Sequence, residues 1–99
     1  MITAIREVGI LPGKTAAARA FAIEITAYVK DKVGMDIELV RPIGANPQRI
    51  GWCTRYKDLA AYEVAWNKLI GDQRFVDLNV KTADFFVPGS MSEAIWQST

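Results

Sequence analysis

Apolar and polar residues alternate at the start of the chain and predict a β-strand over residues 2–11. Arg6 and Glu7 fall on opposite faces of a strand with period two, and apolar residues surround each of them. A strand with apolar positions on both sides is expected to be covered on both sides. Pro12 and Gly13 form a turn dipeptide that closes this strand.

Residues 14–33 have the period of an amphipathic helix, are rich in alanine and are followed by Gly34, a residue that favours a helix end. The side chains placed on the solvent side of this helix are Arg19, Thr26 and Lys30. Glu24 borders the apolar side. The apolar side collects Ala17, Ala18, Phe21, Ala22, Ile25, Tyr28, Val29 and Val33.

Two further strands are predicted over residues 35–43 and 48–56, joined as a hairpin by the turn sequence Gly-Ala-Asn-Pro at 44–47. Trp52, Thr54 and Tyr56 share one face of the second strand. Cys53 points to the opposite face, where we expect it to be buried and inert.

The last third of the chain predicts two helices and a strand. Asp58 is placed to cap a helix that ends near Ile70, with Leu59, Tyr62, Trp66 and Leu69 as its buried stripe. Gly71 breaks that helix, and Asp72 can cap a shorter one whose apolar residues are Phe75, Val76, Leu78 and Val80. Pro88 and Gly89 stop this segment, and residues 91–97 form a final strand.

The order β-α-β-β-α-(α)-β is that of an α+β, ferredoxin-like fold, in one domain over residues 1–99. Its four-stranded antiparallel sheet carries the helices on one face, so the other face needs water or a partner. The chain is 51% hydrophobic and has ten aromatic residues, which is rich for a monomer of this size. We therefore expect a homodimer.

Charge and composition exclude several classes of function. Twelve basic and eleven acidic residues leave a formal charge of +1, which disfavours nucleic acid as the main partner. No apolar run approaches the ~20 residues of a membrane span. Arg6 and Glu7 interrupt the apolar start that a signal peptide needs, and a single cysteine suits a reducing compartment, so a cytoplasmic location is expected.

The chain contains no histidine. This absence removes serine–histidine and cysteine–histidine nucleophilic systems, histidine general bases and imidazole metal ligands. We expect no metal and no cofactor.

Two motif-like segments fail on inspection. Residues 9–15 (GILPGKT) lie between a strand and a helix like a phosphate-binding loop, but the glycine spacing is one residue short and Pro12 has no N–H. The sequence still allows a small anion to bind near Lys14, at the N-terminus of the predicted helix. Trp52 and Tyr56 occupy a strand where RNA-recognition modules keep stacking aromatics, yet the first strand offers no aromatic partner.

The element order, together with Pro-Gly-Lys at 12–14, Trp66 and Leu69, Asp-Gln-Arg-Phe-Val at 72–76 and Phe-Phe-Val-Pro-Gly-Ser at 85–90, resembles the dimeric α/β-barrel superfamily. The similarity is greatest to its NIPSNAP-like and antibiotic-biosynthesis-monooxygenase-like branches. This resemblance implies a homodimer whose sheets form a barrel, with a pocket between sheet and helices in each subunit. Members include cofactor-free monooxygenases, haem-degrading oxygenases and proteins without known activity. The haem-degrading members use a histidine ligand, which this chain lacks.

The predicted pocket residues are mainly aromatic, with arginine and amide groups beside them. The alternative for each aromatic is plain core packing. Arg6, Arg41 and Arg55 interrupt strands and are expected to pair with Glu7 or Glu38, or else to hold an anionic substrate. Glu24 is a candidate base, and the favoured alternative for it is a capped, solvated carboxylate. The substrate-binding candidates are Trp52, Tyr56, Tyr28, Phe21, Trp66, Asn67 and Arg6.

Two functions remain open from the sequence. The first is a homodimer with an apolar pocket for an aromatic or polyketide-like molecule, which includes a cofactor-independent monooxygenase. The second is a non-catalytic binding or assembly module of NIPSNAP-like type, in which the barrel serves dimerisation alone.

Overall fold

A computed structural model describes residues 1–44 and 48–99 of the chain. The last three residues of the predicted Gly-Ala-Asn-Pro turn, residues 45–47, lie outside the described residues. The elements are β1 (Ile2–Gly9), α1 (Thr15–Val33), β2 (Asp36–Val40), β3 (Arg49–Tyr56), α2 (Leu59–Ile70), α3 (Gln73–Lys81), a short 3₁₀ helix (Ala83–Phe85) and β4 (Ser92–Gln97).

The four strands form one antiparallel sheet in the order β2-β3-β1-β4. This order confirms the predicted ferredoxin-like α+β fold, in which two β-α-β units are split and interleaved. In the register, Arg6 of β1 stands between Trp52 of β3 and Glu93 of β4. Arg6 therefore has a residue of β3 on one side and a residue of β4 on the other.

The even-numbered residues of β1 and β3 face the helices and form most of the core floor. Ile2, Ala4, Val8, Ile50 and Tyr56 are all buried on this inner face. The helices add Phe21, Ala22, Ile25, Val29, Ala65 and Leu69 to the same core. The odd-numbered residues of β1 and β3 form an outer face, together with Ser92, Ala94 and Trp96 of β4, and none of the described helices packs over it.

The helix ends follow the predicted chemistry. The carboxylates of Asp58 and Asp72 accept the backbone N–H groups of Ala61 and Phe75, at 2.8 and 3.0 Å, and so cap α2 and α3. Gly34 ends α1 with a positive φ of 71°, and its N–H donates to the carbonyl of Lys30. Each of these signals could be found in the sequence because caps are local.

Several finer predictions were wrong. β2 ends at Val40, so Arg41 does not interrupt a strand, and β1 ends at Gly9, with Ile10 making only an isolated bridge to Phe86. Leu59 is 58% exposed because it stands at the first position of α2, beyond the edge of the sheet contacts.

Among the described residues, no helix combines the length and the apolar character needed to cross a bilayer.

Candidate functional site: an aromatic cavity between the sheet and the helices

A cavity of about 120 Å³ lies between the inner face of the sheet and the helices, and we call it the aromatic cavity. Its walls are mostly apolar, with a few polar groups that come from both the sheet and the helices. All four strands contribute to the floor, and α1, α2 and α3 form the walls. The lining residues on which the chemistry depends are Arg6, Thr26, Trp52, Tyr56, Trp66 and Glu93.

The structure brings five of the seven predicted site residues to this cavity, namely Trp52, Tyr56, Phe21, Trp66 and Arg6. Tyr28 does not line it. Its hydroxyl donates to the carboxylate of Asp72, 2.8 and 2.9 Å from the two oxygens, and thereby joins α1 to the cap of α3. Asn67 is exposed on α2, one position past the face that carries Trp66.

Arg6 and Glu93 form the charged part of the site. Their pairing across β1 and β4 places the Arg6 Nε 2.8 Å from the Glu93 Oε2, and the guanidinium carbon lies 4.2 Å from the centre of the Trp66 ring. The Tyr62 hydroxyl donates to the other carboxylate oxygen of Glu93 at 2.8 Å. The predicted partners of Arg6 were wrong, because strand register and not sequence distance decides which carboxylate it meets.

Sequence reasoning missed Glu93 as a residue of the candidate site. It lies in the predicted strand over residues 91–97, but its face follows only from the β1–β4 register. An isolated acidic residue in a short C-terminal strand carries no signal of its own. Once Arg6 is known to face inward, however, an inward carboxylate directly opposite it is the expected counterion.

Trp52 is held in place by α1. Its Nε1–H donates to the Oγ1 of Thr26 at 3.0 Å, and the Thr26 hydroxyl donates to the backbone carbonyl of Ala22 at 2.6 Å. The prediction that Thr26 lies on the solvent side was wrong. It is half-buried because the sheet extends under that edge of the helix and supplies an indole N–H that needs an acceptor.

Trp66 differs from Trp52 in this respect. Its Nε1 is buried but makes no hydrogen bond to any residue within 1–44 and 48–99. A buried donor without an acceptor costs free energy, on the order of 1–3 kcal/mol. The Trp66 indole is thus a donor at the cavity wall that the described chain leaves unsatisfied.

The two tyrosines of the site are neutral at physiological pH. Burial raises the pKa of Tyr56 to about 12. Burial, followed by the hydrogen bond to Glu93, also raises the pKa of Tyr62. The Tyr62 hydroxyl donates to Glu93, and neither tyrosine can serve as a base near neutral pH.

The remaining candidates lie elsewhere. Glu24 is exposed on α1 and does not line the cavity, and Arg55 is on the outer face opposite Asp36. Glu7 pairs with Arg49 at 2.8 Å rather than with one of the predicted arginines.

Cys53 is half-buried rather than buried, because it stands on the uncovered outer face. Among the described residues, no group of three or more potential ligands is placed to hold a metal ion.

Comparison by sequence finds no match to a family model and no match to a curated protein. Comparison by structure finds clear similarity to solved proteins that share this fold. A NIPSNAP domain protein from Burkholderia xenovorans has a TM-score of 0.85 at 9% identity, covering 100% of this chain and 95% of that chain. A NIPSNAP family protein from Agrobacterium tumefaciens has a TM-score of 0.82 at 17% identity, covering 99% and 85%.

A protein from Nitrosomonas europaea, assigned by name to the antibiotic biosynthesis monooxygenases, has a TM-score of 0.76 at 13% identity, covering 99% and 98%. The predicted resemblance to the NIPSNAP-like and monooxygenase-like branches is therefore confirmed as a resemblance of fold. At such identities the shared fold does not carry an activity with it.

Proposed function

We propose that this protein binds a small aromatic molecule, about one ring in size, in the aromatic cavity. The observation that carries the proposal is the cavity itself, with Trp52, Tyr56 and Trp66 in its wall. Its volume of about 120 Å³ is close to that of an engineered cavity of ~150 Å³ that takes up benzene. Pockets for larger organic ligands begin near ~300 Å³. Between an aromatic and a polyketide-like ligand, this volume favours a monocyclic aromatic compound.

The polar groups in the wall define which substituent such a ligand carries. The Trp66 Nε1–H lacks an acceptor among the described residues, and the Arg6 guanidinium lies over the same indole ring. The Tyr56 hydroxyl remains protonated. An oxygen acceptor on the ring, such as a phenol or carbonyl oxygen, would satisfy the buried indole donor.

Binding can be tested by titrating the protein with phenol and with toluene, using calorimetry and the indole N–H signals in NMR spectra. We expect both to bind, and phenol to bind more tightly. Trp66→Phe should remove the preference for phenol, by roughly tenfold, since one buried hydrogen bond is worth ~1 kcal/mol or more. Trp52→Phe is the matched control, because its N–H is already satisfied by Thr26. Absence of saturable binding of either compound would contradict the proposal.

We propose that the protein forms a homodimer in which the outer face of the sheet is buried. This face mixes apolar side chains with charges: Ile5 is 38% exposed and Trp96 is 65% exposed, and the Glu7–Arg49 ion pair lies on the same face. Apolar side chains rimmed by charged residues are typical of a protein–protein interface.

A second candidate function is cofactor-independent oxidation of the bound ring. Glu93 favours it, because among the described residues it is the carboxylate that lines the cavity. In this reaction Glu93 accepts the proton of a phenol, and O2 attacks the ring carbon para to the oxygen. One oxygen atom becomes the quinone carbonyl and the other leaves as water, so the phenol supplies all four electrons that reduce O2. No external reductant is needed.

Oxygen uptake in the presence of phenol tests this second function. Glu93→Gln should abolish uptake while phenol still binds. If the dimer forms but neither binding nor oxygen uptake occurs, the non-catalytic assembly module is the correct description instead.

A further inference from the structure

A second cavity, of about 230 Å³, lies at the end of the sheet beside the start of α1. It shares no lining residue with the aromatic cavity. Three arginines line it, and they come from three separate parts of the chain: Arg19 from α1, Arg41 from the segment after β2, and Arg49 from β3. We call it the arginine cleft. Its other lining residues are Ile10, Thr15, Leu39, Val40 and Ile50.

The charge of the cleft is out of proportion to that of the whole chain. Three positive charges, offset by the Glu7 carboxylate on Arg49, leave a local charge of +2. The whole chain has a formal charge of +1, so the remainder carries −1. Half of the six arginines of the sequence therefore line one cleft, although like charges repel one another.

Two of the three guanidinium groups are available to a ligand. Arg49 Nη2 donates to Glu7 Oε1 at 2.8 Å, whereas Arg19 and Arg41 form no ion pair with any carboxylate in the described part of the chain. No acidic residue occurs in the first turn of α1, and the nearby Lys14 ammonium lies over the Phe85 ring, outside the cleft. Within residues 1–44 and 48–99, no carboxylate lines the cleft to occupy Arg19 or Arg41 from within.

We propose that the arginine cleft binds a small organic phosphate, with the phosphate held by Arg19 and Arg41. Guanidinium groups form paired, charge-assisted hydrogen bonds with phosphate oxygens. Apart from Thr15 the rest of the lining is apolar, and the half-buried Leu39 and Val40 offer a surface for a carbon group attached to the phosphate. This apolar surface is the reason to favour a phosphate monoester over inorganic phosphate.

Phenyl phosphate is the probe, and its binding is monitored by residue-resolved NMR of the full chain. We expect saturable shifts of the backbone amides of Thr15 and Leu39, whether or not the Trp66 indole signal, which reports on the aromatic cavity, also shifts. Inorganic phosphate should compete at the same amides with weaker affinity. Shifts confined to the Trp66 indole, or no saturable shift at all, would overturn the proposal.

Arg41→Gln and Arg19→Gln should each weaken phenyl phosphate binding by roughly tenfold, as expected for one charged hydrogen bond. Arg74→Gln is the matched control, because it makes the same change in net charge on α3, away from the cleft. An equal loss in all three variants would mean non-specific attraction and would overturn the site. Equal affinity for inorganic and phenyl phosphate would overturn the assignment to an organic phosphate. Neither result depends on the function of the aromatic cavity.

Discussion

Arg6 and Glu7 are neighbours in β1, and each forms an ion pair of 2.8 Å, yet the two pairs lie in different surroundings. On the inner face, the Arg6–Glu93 pair stands beside the aromatic cavity, and the Glu93 side chain is 20% exposed. On the outer face, the Glu7–Arg49 pair meets solvent in the single chain, and the Glu7 side chain is 49% exposed. One strand with period two thus places one charge beside a cavity and the next charge in solvent on the opposite face.

The largest difference between the two environments should be seen in packing. Leu69 is the largest fully buried side chain among the described residues, so Leu69→Ala should lower the free energy of unfolding by about 2–5 kcal/mol. Ile70→Ala is the matched control, because Ile70 is 67% exposed and its loss should cost under about 0.5 kcal/mol. Chemical denaturation measures both. Similar losses in the two variants would mean that the inner core is placed wrongly.

The next largest difference should be in how much each ion pair contributes to the free energy of unfolding. Glu93→Gln should cost about 1.5–3 kcal/mol, because it weakens charged hydrogen bonds to Arg6 and Tyr62 in a half-buried site. Glu7→Gln should cost under about 1 kcal/mol at a concentration where the chain is monomeric. Chemical denaturation of both variants at low and at high protein concentration shows whether the contribution of either ion pair depends on dimerisation. A rise in the cost of Glu7→Gln with concentration would place the outer pair in the proposed dimer interface.

The outer face should matter for association rather than for folding. Trp96→Ala should weaken dimerisation by roughly tenfold or more, since a buried interface tryptophan is worth more than about 1 kcal/mol. Val80→Ala on α3 removes another exposed apolar side chain, 71% exposed, and should leave dimerisation unchanged. Sedimentation velocity measures both. A wild-type monomer at micromolar concentration would contradict the homodimer itself.

The smallest effect concerns alkaline pH. Because the folded state raises the pKa of Tyr56 to about 12, the unfolded chain loses that proton at lower pH. The stability that comes from the neutral phenol is complete below the ordinary tyrosine pKa of about 10 and is lost as the pH rises towards 12. Tyr56→Phe should make the fall in stability over this range shallower. Some slope should persist, since the pKa of Tyr62 is raised as well. An unchanged slope would argue against burial of the Tyr56 hydroxyl.

Local signals in the sequence predicted the fold well. Asp58, Asp72 and Gly34 mark helix ends through hydrogen bonds that each involve residues only a few positions apart. The bounds of α1 and β3 agree with prediction to within one residue. The site was predicted only in part. Tyr28 was misplaced because Asp72, 44 positions away, draws its hydroxyl out of the cavity wall, and that contact has no local signal.

The sequence by itself determined the order of elements, the sharing of one face by Trp52 and Tyr56, and the absence of histidine chemistry. These follow from chain periodicity and composition, which need no knowledge of distant contacts. Only the tertiary structure decided that this shared face is the inner one, that Glu93 stands opposite Arg6, and that the Trp66 N–H is left without a described acceptor. The physical reason is register: a strand shows which residues share a side, but the neighbouring strands and helices decide what each side meets.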